Sequence, residues 1–314
     1  MWISLSLLIL SATLPEKLLL NFLAPIALKA HRFCKSQTPQ DSDWKESYDA
    51  IVCGADLPRD EFSEVLIVSG LYHLIVVSGS HLIFLDSLLR PFIMRLGRSS
   101  QLVIFLLLLY YAFLCNLCPP AVRALITLVL HRTNEKHKLN WDPIYVTWIS
   151  GLLNLAIFPS WWTSLSFQMS WVAALAIAVT SSTSRSSPLS AHFLIYIMIL
   201  PAILPLQMPH PASILFNWIL GPGIGMVLFP ISILACILKP IAPLVDVIWE
   251  VLGFVLIRLT ANLELQDSSF RNHWIWYYVL ALHIYFLVEQ KLTFKKKWAE
   301  YHSYLRLQKR DEDQ

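Results

Sequence analysis

Apolar runs, broken by glycine, proline and short charged clusters, cover nearly the whole chain. From residue 66 onward they fall at 66–89, 101–118, 119–130, 143–158, 165–180, 189–206, 214–238, 244–263 and 274–289. Before them, two shorter runs within 1–28 are split by Pro15-Glu16-Lys17. Neither reaches the roughly 20 residues that a spanning helix needs, so this part predicts one bent span or a shallow hairpin. Counted by hydropathy, about ten segments lie at membrane depth. The fold class expected is all-α, a polytopic membrane helix bundle. It divides into an anchor at 1–30, a short polar segment at 31–64, a membrane domain at 65–290 and a basic tail at 291–314.

One run breaks the pattern. Residues 68–83 place Ser69-Gly70 before His73, and Ser78-Gly79 before His81, within apolar neighbours. Glycine weakens a helix and serine offers the backbone a competing hydrogen bond. Lipid tolerates such a break only where the freed backbone groups face protein or a wet cavity. Residues 66–89 are therefore expected to form a broken or re-entrant helix lining a polar path; the alternative is an ordinary helix whose small residues permit close packing. Gly221-Pro222-Gly223-Ile224-Gly225 suggests a second discontinuous helix, and two such helices in separate halves point to a midplane site.

Composition agrees with a membrane chain: 56% of residues are hydrophobic and 14% charged, against about 25% charged in soluble domains. Lys+Arg (24) and Asp+Glu (21) nearly cancel, so net charge says little about partners. The first residues show no basic region and no small-residue cleavage site, which predicts a retained anchor. With Lys291, Lys295, Lys296, Lys297, Arg306, Lys309 and Arg310 in the cytoplasm, the loops with Lys239, Arg185, Arg132, Lys136, Lys138, Arg90, Arg95 and Arg98 fall there too. The acidic 31–64 segment then lies outside, although Lys29, Arg32 and Lys35 oppose that placement. An outside position would allow Cys34 and Cys53 to pair, which the sequence leaves open. Cys115 and Cys118, without a second pair, read as small apolar residues at a helix end and not as a zinc site.

Several polar side chains lie within apolar runs. Arg123 at membrane depth costs about 2.5 to 3.5 kcal/mol on insertion scales, so it should face a cavity or a partner. That partner is either a phosphate, which the guanidinium grips with a planar fork, or a carboxylate such as Asp86 or Glu250. Gln168 and Ser170 either line the path or bond between helices, at about 0.6 kcal/mol. His73 and His81, eight residues apart, would point about 80° apart on a regular helix. No carboxylate or third histidine adjoins them to complete a metal site. Asp246 and Glu250 share a helix face and have the wrong sign for an anion path. There is no G-x-x-x-x-G-K-[ST], H-E-x-x-H or G-x-S-x-G motif. No cofactor and no enzymatic activity are expected.

The run from Ser69 to His81 resembles the S-G-L-x-H-L-[LI]-[AV]-[IV]-S-G-L-H-V-G signature of the ComEC family of DNA-internalisation competence proteins. Ser80 stands in place of the usual Leu, and Leu82-Ile83 in place of Val-Gly. Pro120 to Leu125 resembles the family's P-x-x-x-R-A element. Ser164 to Trp171 is similar to S-P-G-F-Q-L-S-F, with Ser-Leu-Ser for Ser-Pro-Gly, and Asn217-Trp218 to A-N-L. The resemblance covers residues 50–286, and no H-x-H-x-D-H run of the nuclease-like domain is present.

The resemblance makes 65–290 a competence-type channel domain of the inner membrane that passes one strand of DNA during natural transformation. It implies a separate cytosolic helicase-type ATPase, a DNA receptor and a nuclease, beside membrane lipid; homo-oligomerisation stays open. Ser69, Gly70, His73, Ser78, Gly79, His81, Arg123, Gln168 and Asn217 are the expected contacts along the strand, with Ser80 beside them. Tyr72, Trp171 and Trp218 either stack bases or pack in the core. A small-solute or lipid transporter, and an intramembrane hydrolase built on Ser78 and His81, are the alternatives.

Overall fold

The computed structural model describes residues 16–76, 78–182, 188–203 and 210–263, with Ala281. The apolar run within the first fifteen residues, the 274–289 span and the 291–314 tail lie outside the described residues. The chain divides after Ser268, and all elements below belong to the first unit. Every regular element among the described residues is helical.

Helix α1 (Glu16–Gln37) runs through Pro25 and without interruption past residue 30, where the anchor was expected to end. A polar loop leads to α2 (Lys45–Cys53). Helix α3 (Glu61–Val68) starts with a capping box: Asp60 accepts from the Ser63 N–H at 2.8 Å, and Ser63 Oγ accepts from the Asp60 N–H at 3.1 Å. A single turn, α4 (Tyr72–Ile75), separates α3 from α5 (Gly79–Ile93). Next come α6 (Ser100–Leu114), α7 (Pro119–His137), α8 (Pro143–Ile157), α9 (Leu165–Ser182) and α10 (Pro188–Ile203). Proline opens α7 and α8, where its missing N–H costs nothing. Helix α11 (Ser213–Gly223) continues through a π turn (Ile224–Leu228) into α12 (Phe229–Ile237), and α13 (Ala242–Thr260) follows.

Among the described residues, three helical stretches are long and apolar enough to cross a membrane: Tyr72–Ile93, Ser213–Ile237 and Lys239–Thr260. Ser100–Leu114, Pro143–Ile157 and Leu165–Ser181 are apolar but shorter. The second discontinuous helix is not found. Residues 221–225 sit in one continuous 25-residue helix, which passes Pro222 and widens into the π turn just before Pro230.

The polar N-terminal segment is built into the core. Tyr48, Ile51 and Cys53 of α2 are fully buried, with Leu66, Leu71, Leu82, Phe229 and Trp249. A Cys34–Cys53 disulfide ties the end of α1 to the end of α2. Trp44 stacks on Trp249 at 6.0 Å, with Phe62 edge-on to both. Asp246 accepts from Ser42 Oγ at 2.8 Å and from the Tyr48 hydroxyl at 2.9 Å. Burial first, and then that bond to Asp246, hold the Tyr48 phenol well above the usual tyrosine range.

These bonds correct the predicted loop alternation. Phe33 and Gln37 line one cleft with Lys239, and Tyr48 reaches Asp246 just beyond the 239–241 turn. Lys239 and the acidic segment therefore share one end of the bundle, where the charge rule placed them on opposite sides. Helix–helix packing overrides a single loop lysine.

Elsewhere, α5 and α7 are clipped by charge. Asp86, buried, accepts from Arg132 at 2.7 and 2.8 Å and from Arg90 at 3.0 Å. Asp86→Asn leaves Arg132 facing a neutral amide. Because Arg132 and Arg90 are partly exposed, the loss is that of charge-assisted hydrogen bonds, roughly 1.5 to 3 kcal/mol, so the purified variant should unfold a few degrees below the parent; an unchanged midpoint would show the clip to be idle.

Candidate functional site

The two Ser-Gly pairs do opposite jobs. The first ends a helix. Gly70 adopts φ 72°, its N–H reaches the Ile67 carbonyl at 3.0 Å, and the Leu71 N–H reaches Leu66 at 2.9 Å. That is a Schellman closure, which needs a left-handed residue. The second begins one. Ser78 is extended (φ −108°, ψ 164°) and caps α5, with Gly79 in the first helical position. Between them the chain makes one turn and leaves the helical path at Val76.

Each pair packs on a different partner. At the first, Asn217 Nδ2 donates to the Gly70 carbonyl at 3.2 Å and to Ser213 at 2.8 Å. A Cβ on Gly70 would lie 2.7 Å from Ser213 Cβ. At the second, a Cβ on Gly79 would lie 2.6 Å from Arg123 Nη2. Arg123 is 4% exposed; its Nε donates to Ser170 Oγ at 2.9 Å, and Nη1 to Thr127 Oγ1 at 3.4 Å. Neither Asp86 nor Glu250 reaches it, and no carboxylate pairs with it among the described residues. Among the described residues the carboxylate alternative is not met: Asp86 is taken by Arg132 and Arg90.

The remaining expected residues divide. His81 is fully buried, with its ring stacked on Phe229 at 4.2 Å. Its Nδ1 accepts from the Ser78 N–H at 3.3 Å, which puts the neutral ring's proton on Nε2, and Nε2 has no partner among the described residues. In this arrangement His81 packs the start of α5 and does not line an open path. Ser69 is also buried, and its hydroxyl donates to Leu66. His73, on α4, is half-buried and close enough to His81 to interact electrostatically. Ser78 is half-buried and Ser80 exposed, their hydroxyls hydrogen-bonded together. Gln168 is buried and its amide donates to the Trp162 carbonyl, so it braces the 159–163 turn. Tyr72 is half-buried, Trp171 is buried and bonded to Thr147, and Trp218 is exposed.

Three members escaped the sequence. Thr127 carried a signal, since it lies four residues after Arg123 on the same face. Ser213 and Phe229 carried none, because nothing local marks them as neighbours of Gly70 and His81. Among the described residues no group of acidic, histidine or cysteine side chains could hold a metal.

This is a helical protein with membrane-length helices, in which buried Ser69, His81 and Arg123 gather about an interrupted span. Its sequence matches the family model described as competence protein over residues 56–292. The match covers most of the chain, which therefore belongs to the competence protein family, as the resemblance to ComEC sequences implied. Over 154 residues it is 30% identical to an uncharacterized protein, MG316, of Mycoplasma genitalium. That stretch is 48% of this chain and 41% of the relative, so the chain spans less than half the length of the curated relative it matches. No solved structure matches.

The two glycines should fail differently. Gly70→Ala combines a left-handed backbone with a clash against Ser213 Cβ, at a cost on the order of 1–3 kcal/mol. Gly79→Ala meets chiefly the flexible end of Arg123. Thermal unfolding should rank Gly70→Ala well below Gly79→Ala, and the reverse order would contradict this packing.

Proposed function

We propose that this chain is the inner-membrane conduit through which one strand of DNA enters the cell during natural transformation. Family membership supports a role in competence and DNA uptake. The observation that carries the finer reading is Arg123, a buried guanidinium beside the kink whose only partners among the described residues are two hydroxyls. A cation held in a low-dielectric bundle without a carboxylate favours an anion that arrives and departs. A strand of DNA presents one anionic phosphate after another and cannot cross hydrocarbon unaided.

The Ser78–His81 pair gives no support to the hydrolase alternative. The imidazole meets the serine backbone N–H and not its hydroxyl, so the hydroxyl lacks an activating base. In the proposed architecture about ten segments lie at membrane depth. The Cys34–Cys53 disulfide favours an oxidising, extracytoplasmic side for the 31–64 segment. Lys239 then lies outside with it, and the end with Arg90, Arg132 and Lys136 faces the cytoplasm. The basic 291–314 tail is also assigned to the cytoplasm, on its lysine and arginine content alone. A separate helicase-type ATPase would supply drive, with a separate receptor and nuclease acting before passage.

A strain lacking this chain should keep surface-bound labelled DNA but internalise none, with uptake of small anions unchanged. Loss of small-anion uptake with normal transformation would favour the solute-transporter alternative and end the conduit reading.

A further inference from the structure

Four of the five cysteines meet at one place. The Cys34–Cys53 disulfide joins α1 to α2, and its two cysteines are buried, at 6% and 0% exposure. The end of α6 is fastened to both arms of that bond. His31, one turn before Cys34, donates from Nδ1 to the Leu114 carbonyl at 3.0 Å. Cys115, the next residue, donates from Sγ to the Val52 carbonyl at 3.8 Å, one peptide from Cys53. Cys115 and Cys118 are free thiols, the first buried and the second half-buried. A turn holds them together: the Cys118 N–H donates to the Cys115 carbonyl at 3.0 Å. Four residues closed in this way bring their ends within about 7 Å, a spacing that a disulfide bridges. The two residues between them are left-handed, Asn116 at φ 52° and Leu117 at φ 50°, a conformation that a leucine rarely takes. Tyr111 lies one turn before Cys115, and its buried hydroxyl has no hydrogen-bond partner among the described residues.

We infer that Cys115 and Cys118 form a thiol–disulfide exchange site whose substrate is the Cys34–Cys53 pair. A small disulfide in solution meets Cys118, while Cys34 and Cys53 are shielded from it. The Cys118 thiolate attacks that disulfide and releases one of its halves as a thiolate. The Cys115 thiolate then attacks Cys118 Sγ, releases the other half and closes Cys115–Cys118. Next the Cys53 thiolate attacks Cys115 Sγ and expels Cys118. Finally the Cys34 thiolate attacks Cys53 Sγ and expels Cys115. The outside disulfide is reduced to two thiols, which take the protons of Cys34 and Cys53; the Cys34–Cys53 bond is made, and Cys115 and Cys118 end as they began. The Tyr111 hydroxyl is the donor for the Cys115 thiolate as it leaves.

The test uses the full chain in nanodiscs, reduced with dithiothreitol, freed of it and reoxidised with glutathione disulfide. Samples are quenched with acid, alkylated and mapped by mass spectrometry. The Cys115–Cys118 bond should appear first and decay as Cys34–Cys53 forms. Cys118→Ala and Cys115→Ser should each slow closure of Cys34–Cys53 about tenfold, because the oxidant then has no route to the shielded sulfurs. In the double variant Cys34→Ser with Cys118→Ala, the bond should stop at Cys53–Cys115, in large excess over Cys53–Cys236. Tyr111→Phe should slow closure several-fold and leave the unfolding midpoint of the oxidised chain unchanged.

Closure of Cys34–Cys53 at the parent rate in Cys118→Ala overturns the exchange site. So does a Cys118–glutathione adduct that persists in the parent chain with Cys115 still open to alkylation. A trapped Cys53–Cys236 bond overturns the role of Cys115, and parent-rate closure in Tyr111→Phe overturns that of the phenol.

Discussion

A guanidinium inside an apolar bundle needs polar company, and Arg123 has two hydroxyls and a helix start in place of a carboxylate. Much of the local architecture follows from placing it there. Position 79 favours glycine, because a Cβ there would stand 2.6 Å from Nη2 and oblige the guanidinium to shift. Helix α5 must begin at that depth, so the preceding helix must already have ended, and Gly70 ends it in a left-handed conformation. The carbonyl of Gly70 is then left within the bundle, and Asn217 supplies the donor for it. A buried polar backbone group without such a partner would cost as much as a lost hydrogen bond. The kink is thus held at both ends by side chains distant in sequence.

What the sequence revealed here was position, not direction. Two Ser-Gly pairs in apolar surroundings announce a break, and the structure has one. Their local composition is nearly the same, yet Gly70 closes α3 while Ser78 opens α5. The difference lies in which side already carries a helix, and α3 owes its existence to the Asp60–Ser63 capping box several residues upstream. The Gly-Pro-Gly run misled for a related reason. Among the described residues no atom lies within 4 Å of where a Cβ would stand on Gly223 or Gly225, while Gly221 packs against Leu74. The backbone keeps its bonds by widening one turn and continuing.

Partnerships across the bundle were not legible. Hydropathy finds spans but cannot say which faces meet, so Asp86 was as plausible a partner for Arg123 as Arg132 was for Asp86. The structure resolves this through the relative run of α5 and α7: Gly79 meets Arg123 near their starts, and Asp86 meets Arg132 farther on. The same limit undid the loop alternation. Lys239 was assigned by charge, whereas the hydrogen bonds from Ser42 and Tyr48 to Asp246 fasten its turn beside the acidic segment.

The bundle is electrically uneven, and this bears on how a polyanion could use it. A cleft of about 530 Å³ at the end shared by the N-terminal segment is lined by Asp43, Glu46, Asp60, Asp246 and Glu250, with Trp44 and Phe62. Carboxylates repel phosphate only locally, since screening at physiological salt reduces exposed charges beyond roughly 8 Å. On the proposed reading the acidic cleft therefore does not bar a strand from the bundle; it keeps phosphates off this one wall and directs them to the face where α5, α7 and α9 meet. Along that face Asp86 is taken by Arg132 and Arg90, and Arg123 is left without a carboxylate among the described residues; on the proposed reading a row of such cations would hold the strand too tightly to release it. A single buried arginine at the kink fits transit better than storage.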